Sequence, residues 1–349
     1  MINHESIMHF IRKTIRIFRT AYLELKAAAT GKKFYCVALS GNSTSNISIN
    51  CDLTVTCNCK DFDGEGQIGD LHDSTFEQIF DSERANSFRK KLAAGKLAIA
   101  NCSTCRELQT VDKKFAQKYI TEWHLPHKGL MVENTISCPY HCLSCNRKLV
   151  KKSRNSVSMD ISGIKKVASL IRENNIEHIF FLNLGDPFAS KDILEQLTII
   201  RKENPHLSIH IATNGLLLNS DKKRQAALLA DKLSFSIDGF DNKTLSKYQR
   251  GGSFDKVYKN LKELTAYRDL QNGKKPTIEW KYILFNWNDR HDMVHQAIEM
   301  ARQAGVDSIY FAHTSSPIYG ISWRYYLTST FKNIGEPSGK GRRIFFKKD

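Results

Sequence analysis

From Leu130 onward, short apolar runs alternate with stretches of helical periodicity. The runs are LMVENTIS, HIFFLNL, LSIHIAT, KLSFSI, TIEWKYILF and DSIYFAH. Between them lie segments such as ISGIKKVASLIREN, in which Ile164, Val167, Ala168 and Ile171 share one helical face. Near-continuous apolar strands mark a parallel sheet covered on both faces, so the six βα-type repeats predict an α/β fold, a parallel sheet curled into a partial barrel over residues 128–315. In such folds the chemistry gathers at the C-terminal ends of the strands.

The first third of the chain has a different texture. Over residues 1–33, Ile7, Phe10, Ile11, Ile15 and Phe18 fall on one helical stripe, with Arg12, Lys13, Arg16 and Arg19 mostly on other faces. This predicts a basic amphipathic helix ending near Gly31. It fits either attachment to an anionic membrane surface or packing on its own protein, which is the commoner fate of such helices. Residues 34–112 predict a small, loop-rich unit. Short strands run over 34–60, with alternation in NISINCDLTVTCNC; a turn, DFDGEGQIGD, follows, then a helix from about Ser74 to Leu92 and a C-x2-C knuckle at Cys102 and Cys105. A unit with so little apolar mass is of the kind that a metal usually holds together. The stretch 316–349, with SWRYY and GKGRRIFFKKD, shows no pattern that assigns it a fold.

Composition adds two constraints. The net charge of +16 is concentrated at the ends: residues 1–33 and 324–349 each carry seven Lys/Arg against two acids. Such ends attract anions, whether a lipid surface, a nucleic acid or a phosphorylated substrate, and no dedicated nucleic-acid-binding module accompanies them. No apolar run of about 18 residues and no secretory leader is present, which predicts a cytoplasmic protein, with room for a position peripheral to the inner membrane face. All nine cysteines lie in the first 145 residues, and an odd, clustered set argues for metal or cluster ligation over disulfides.

The sharpest signal is CPYHCLSC, with Cys138, Cys142 and Cys145 spaced C-x3-C-x2-C directly after the first predicted barrel strand. Structural zinc and iron-sulfur sites usually take four protein donors, so three thiolates leave a coordination position open. This motif at this place resembles the radical S-adenosylmethionine (SAM) enzymes. The resemblance implies that the three cysteines hold a [4Fe-4S] cluster whose fourth iron is chelated by SAM, that a 5′-deoxyadenosyl radical abstracts hydrogen from substrate, and that a low-potential donor of the flavodoxin or ferredoxin type supplies the electron. Later strand ends fit the same family. Gly185-Asp186-Pro187 is similar to its Gly-Gly-Glu-Pro motif, and Thr213-Asn214, Ser236 with Asp238, and Arg250 stand where the family contacts SAM; Asn288 follows the fifth strand. Alone, each is an everyday turn sequence, and Asp238 would serve equally as a helix cap. Two departures are Ser144, where the family has an aromatic, and Asp186, a methylene shorter than the usual Glu. Tyr140, His141, Glu279, Lys281 and His313 lie near strand ends with no assigned role.

The segment from Ile49 to Cys105 resembles a SPASM/twitch auxiliary-cluster domain, through a hairpin cysteine, the turn Ile68-Gly69-Asp70-Leu71, an Arg-bearing helix and the C-x2-C knuckle. In the family that domain follows the barrel; here it precedes it. The resemblance implies an auxiliary [4Fe-4S] cluster on Cys57, Cys59, Cys102 and Cys105, with Cys51 in reserve and Cys36, inside FYCVAL, as a buried small side chain. The same four thiolates would equally make a zinc site. Two functions follow: a radical SAM enzyme acting on a carbohydrate, another small molecule or a peptide, or a non-enzymatic iron-sulfur or zinc protein that binds nucleic acid or membrane through its basic ends.

Overall fold

The computed structural model describes residues 4–59, 61, 63–151, 154–271 and 275–346, with side chains from Thr14 onward save that of Thr330; the side chains of Ile7, Phe10, Ile11, Arg12 and Lys13, and the last three residues of the basic tail, lie outside the described ones. The chain divides into two compact units. One holds residues 1–132, 149–159 and 169–179, and the other holds 133–148, 160–168 and 180–349.

The first unit opens with the helix His4–Ala29, which ends ahead of Gly31 as the pattern predicts. Strand β1 (Lys33–Cys36) pairs antiparallel with β5 (Leu108–Val111). Strands β2 (Ser48–Ile49), β3 (Thr54–Thr56) and β4 (Gln67–Asp70) form an antiparallel meander, and β6 (Leu130–Val132) runs parallel to β2. The single helix expected from Ser74 to Leu92 is two helices, Phe76–Phe80 and Glu83–Ala94. The break follows from capping: Ser82 adopts an extended backbone and accepts a hydrogen bond from Ala85 N, starting a new helix, while its hydroxyl donates to Ile68 O at 3.0 Å. Thr75 and Gln78 make a capping box for the first helix. Phe34, Ile47, Ile49, Val55, Ile68, Phe80 and Phe88 fill the core. Gly69 lets Ile79 close on β4, since a Cβ there would meet Ile79 Cγ1 at 2.6 Å.

In the second unit the sheet order is β12-β13-β11-β10-β9-β8-β7. Strand β7 (His178–Phe181) contributes Phe180 and Phe181 to this unit, and β8 (Ser208–Thr213), β9 (Lys232–Ser236), β10 (Thr277–Leu284) and β11 (Ser308–His313) follow in sequence order. The pairs β8–β9, β9–β10 and β10–β11 are parallel, as the apolar runs predict. Helices Ile193–Glu203, Asp221–Leu228, Phe254–Leu270 and His291–Gln303 connect the strands. Leu233, Phe235, Trp280, Tyr282, Ile309 and Phe311 are buried in the sheet, facing apolar positions such as Val257, Leu261, Leu264 and Ala297.

The stretch with no predictable fold, 316–349, is ordered over most of its length. It forms the helix Trp323–Leu327 and a hairpin of β12 (Glu336–Ser338) and β13 (Gly341–Phe345), and β13 pairs antiparallel with β11. Alternation is too short here for periodicity to reveal it. Ionic pairing helps to fix the hairpin: Arg343 Nε donates to the buried Glu279 Oε2 at 2.7 Å, and Lys232 lies 3.3 Å from Oε1.

A second buried ion secures the start of β10. Arg268 is 1% exposed, and its guanidinium donates to Asp307 Oδ2 at 2.6 Å, Pro276 O at 3.0 Å and Asp269 Oδ1 at 2.8 Å. Asp307 Oδ2 also accepts from Ile278 N at 2.7 Å. Arg268→Met should destabilise this unit by about 3 kcal/mol, because Asp307, Asp269 and Pro276 O all lose a donor. Chemical denaturation followed by circular dichroism would read that loss as a lower midpoint.

Candidate active site and cysteine centres

The loop bearing Cys138, Cys142 and Cys145 belongs to the second unit. It is held by backbone bonds to the Tyr248–Arg250 segment: His141 N donates to Arg250 O at 2.9 Å and Leu143 N to Tyr248 O at 3.1 Å. Arg147 Nη2 donates to Tyr140 O at 2.9 Å, Asn214 Nδ2 lies 3.5 Å from Cys138 Sγ, and Ser144 meets Ser316 Oγ at 3.0 Å. The last contact brings the segment after β11 to the cysteine loop. The three thiols feel one another: Cys142 has both Cys138 and Cys145 as charged neighbours. Burial pushes the Cys142 thiol well up and the Cys138 thiol up to about 11, and Cys145 is exposed. Thiols so raised stay protonated unless a cationic centre displaces the proton, which iron does.

Asp186 joins three segments. Its backbone N donates to Ser137 O at 2.7 Å, and its carboxylate accepts from Thr213 Oγ1 at 2.9 Å, Asn214 N at 2.8 Å and Phe188 N at 3.0 Å. Burial raises its pKa and these donors lower it, with burial the larger influence. Gly185 lies so close to the cysteine loop that a Cβ would fall 1.9 Å from Thr135 O. Pro187 O accepts from Asn134 Nδ2 at 3.2 Å.

At the end of β9, Asp238 is buried and burial raises its carboxyl to about 7. It does not cap the helix Asn242–Ser246; Asp241 does that, with Thr244 completing a capping box. Asp238 Oδ1 instead accepts from Ile283 N at 2.8 Å on the neighbouring β10. Gln249, which no pattern singles out, bridges this strand end: its Nε2 donates to Ser236 O at 2.8 Å and its Oε1 accepts from Asp238 N at 2.9 Å. Asn288 Nδ2 donates to Asp238 O at 3.0 Å. Arg250 supplies its carbonyl to the cysteine loop while its side chain stays exposed.

Tyr140 is the second residue that pattern reading leaves without a role. It is 3% exposed, has Cys138, Cys142, Asp186 and Asp238 as charged neighbours, and its hydroxyl finds no hydrogen-bond partner among the described residues. An orphaned buried hydroxyl costs about 1–3 kcal/mol, so a polar partner entering this site satisfies a standing demand. Three thiols around an open position and an unpaired phenol between two carboxyls fit a cluster with a bound polar ligand.

The first unit gathers Cys57, Cys102 and Cys105 as expected, and brings Cys36 to them. Cys36, Cys57, Cys102 and Cys105 are charged neighbours of one another, and burial pushes Cys36 up to about 12. Cys59 Sγ lies 3.1 Å from Asn46 Oδ1, and the same Asn46 amide reaches Cys105 Sγ at 3.5 Å and Cys57 O at 3.3 Å, so Cys59 borders this set through Asn46. The expectation of Cys57 and Cys59 on one strand face fails because β3 stops at Thr56, and two-residue alternation holds only within a strand. Cys51 Sγ lies 3.3 Å from Ser156 O. The FYCVAL context predicts a buried small side chain at Cys36, and Cys36 ends β1, whose pairing with β5 directly follows the Cys102–Cys105 knuckle. Among the described residues, no three Cys, His, Asp or Glu side chains close around a single metal ion.

Neighbouring residues in the Tyr248–Arg250 segment should behave differently on substitution. Gln249→Leu should cost about 2 kcal/mol, since Ser236 O and Asp238 N are left unpaired in a buried place, whereas Arg250→Ala, which keeps its carbonyl, should change stability by about 0.5 kcal/mol or less. Denaturant midpoints of the two variants side by side would check this.

Two family models match the chain. Residues 133–269 match the radical SAM superfamily, and residues 36–106 match an iron-sulfur cluster-binding domain, SPASM. Among curated proteins, the chain is 25% identical over 171 residues to molybdenum cofactor biosynthesis protein moc-5 of Caenorhabditis elegans, covering 48% of this chain and 27% of that protein. It is 26% identical to GTP 3′,8-cyclase of Peptoclostridium acidaminophilum (38% and 41% covered) and 25% identical to the FeMo cofactor biosynthesis protein NifB of Chlorobaculum tepidum (57% and 49% covered). The chain thus spans less than half the length of these relatives. A solved structure, anSMEcpe with bound AdoMet, aligns at TM-score 0.42 and 15% identity, over 58% of this chain and 55% of that one. With its radical SAM domain at residues 133–269 and its SPASM iron-sulfur domain at residues 36–106, the chain belongs to the radical SAM superfamily.

Proposed function

We propose that the protein is a radical SAM enzyme that abstracts hydrogen from a small organic substrate, with Cys138, Cys142 and Cys145 holding the reactive [4Fe-4S] cluster and Cys36, Cys57, Cys102 and Cys105 holding an auxiliary one. When bound, the first cluster and SAM together supply reductive cleavage of the sulfonium and a 5′-deoxyadenosyl radical. The observation that carries the reading is the meeting of three mutually coupled thiols with the orphaned Tyr140 hydroxyl beside Asp186 and Asp238.

The chain's own groups then have distinct tasks. Asp186 fixes the cysteine loop against the ends of β7 and β8, and its donors leave it a positioning group. Asp238, carrying a single backbone donor on Oδ1, keeps acceptor capacity for a ligand ammonium or hydroxyl. Tyr140 offers a hydroxyl in surroundings where burial keeps it protonated and able to donate. The exposed Arg250 guanidinium suits a carboxylate at the rim. A small substrate is favoured over a peptide because the matched stretch is shared with GTP 3′,8-cyclase and with proteins named for cofactor biosynthesis. The basic composition suits an anionic substrate, and a flavodoxin- or ferredoxin-type donor is the electron source this chemistry requires.

Anaerobic reconstitution with iron and sulfide, reduction and addition of SAM test the reading. Wild type should hold roughly eight irons and form 5′-deoxyadenosine. The Cys138→Ala/Cys142→Ala/Cys145→Ala variant should lose about half the iron and all of the product. Cys36→Ala/Cys57→Ala should lose the other half, while Cys59→Ala should keep its full iron content. Zinc in place of iron, or loaded clusters without SAM cleavage, would sink the enzyme reading; iron loss on Cys59→Ala but not on Cys36→Ala would sink the ligand assignment alone.

A further inference from the structure

The helix His4–Ala29 carries an exposed apolar row on a side other than the one through which it docks. Its inner side is accounted for. Ala27 is buried, Arg16 pairs with Asp63 at 3.6 Å, and Glu24 accepts from Leu97 N at 2.9 Å and from Lys96 at 3.0 Å. On another side Ile15, Phe18, Tyr22 and Leu25 are 55%, 71%, 60% and 71% exposed. Their spacing of three, four and three residues sets them in one line along the helix, and Met8 and Ile11 continue the same spacing in the sequence. Four large apolar side chains in a solvent-facing row, on a helix already docked through other residues, mark an interaction surface.

The charges beside the row decide what it meets. One flank carries Arg12, Arg19 and Lys26, one cation every seven residues, and the other carries Thr14, Ala21 and Ala28. Arg19 and Lys26 are exposed and make no salt bridge among the described residues. A second copy of the helix packed on this row would set cations against Thr and Ala when parallel and against cations when antiparallel, with no ion pair in either case. A layer of anionic headgroups meets every one of these cations, while their aliphatic stems and the apolar row reach the acyl boundary.

We infer that this face docks the protein on an anionic lipid bilayer, with Ile15, Phe18, Tyr22 and Leu25 inserted at the headgroup boundary and Arg19 and Lys26 on the lipid phosphates. The inference is independent of the chemistry proposed above.

Flotation of the full-length, cluster-loaded protein with vesicles of phosphatidylcholine alone, or of phosphatidylcholine mixed with phosphatidylglycerol, tests it. Wild type should float with the anionic vesicles, stay with the soluble fraction beside the neutral ones, and release as salt rises. Phe18→Glu/Leu25→Glu should weaken partitioning by roughly a hundredfold, and Arg19→Glu/Lys26→Glu by roughly thirtyfold. All four positions are exposed, and unchanged iron content and circular dichroism would verify folding. No binding to anionic vesicles, binding that ignores lipid charge, or variants that float like wild type would each overturn the proposal. So would a dimer in light scattering that Phe18→Glu/Leu25→Glu dissociates while vesicles capture nothing, which would assign the face to a second copy.

Discussion

A carboxylate removed from water must be surrounded by donors, and the reactive end of this protein is organised around one that is. Asp186 is fully enclosed and takes hydrogen bonds from a threonine hydroxyl and two backbone amides, while its own amide holds Ser137 one residue before the first thiol of the triad. Its partners lie in the cysteine loop, at the end of β8 and in its own turn, so the position of the cysteine loop relative to the ends of β7 and β8 is set by a single saturated group. The close approach of Gly185 to Thr135 O completes the join, because only a residue without a Cβ fits. A longer acid would push one of these segments away, which gives a physical reason for Asp at this position.

The two cysteine centres are supported in different ways. The triad sits on an irregular loop hung from the backbone of Tyr248–Arg250 and braced by Arg147 and Ser316. The N-terminal set is placed by regular elements: the end of β1, the residue after β3 and a short helical turn, with the buried Arg89 donating to Leu39 O and Phe80 O and stacking on Trp123 at 4.5 Å. A loop can adjust to a ligand that comes and goes; a scaffold of paired strands suits a centre that stays in place.

Much of this was legible before any coordinates. The six apolar runs from LMVENTIS to DSIYFAH all contain strands, because a buried parallel strand leaves a continuous apolar signature. The triad and the strand-end motifs were readable because their chemistry demands particular residue types. Gln249 and Tyr140 were not: an amide bridging two backbone groups and a phenol lacking a partner look like any other Gln and Tyr until the chain is folded. Cys36 was obscured by its apolar neighbours, and Cys59 was mistaken for a strand residue because alternation in NCDLTVTCNC continues past the point where pairing ends. The helix break at Asp81–Ser82 was concealed by helix-favouring residues on both sides, although Ser82 ahead of Glu83 is itself a capping signal. The C-terminal hairpin left almost no trace, since one of its strands is only three residues long.

That hairpin bears on how the chain tolerates shortening. Strand β11 would otherwise be the open edge of a parallel sheet, a row of unpaired amides and carbonyls ready to recruit another strand. Strand β13 occupies that edge, and its Arg343 at the same time neutralises an acid enclosed beneath the sheet. A fragment trimmed at the end of the matched superfamily region, or even just after β11, would keep every cysteine of the triad and still be an aggregation-prone protein. Protection of the sheet edge is therefore encoded in Gly341–Phe345, well outside residues 133–269 that carry the superfamily match.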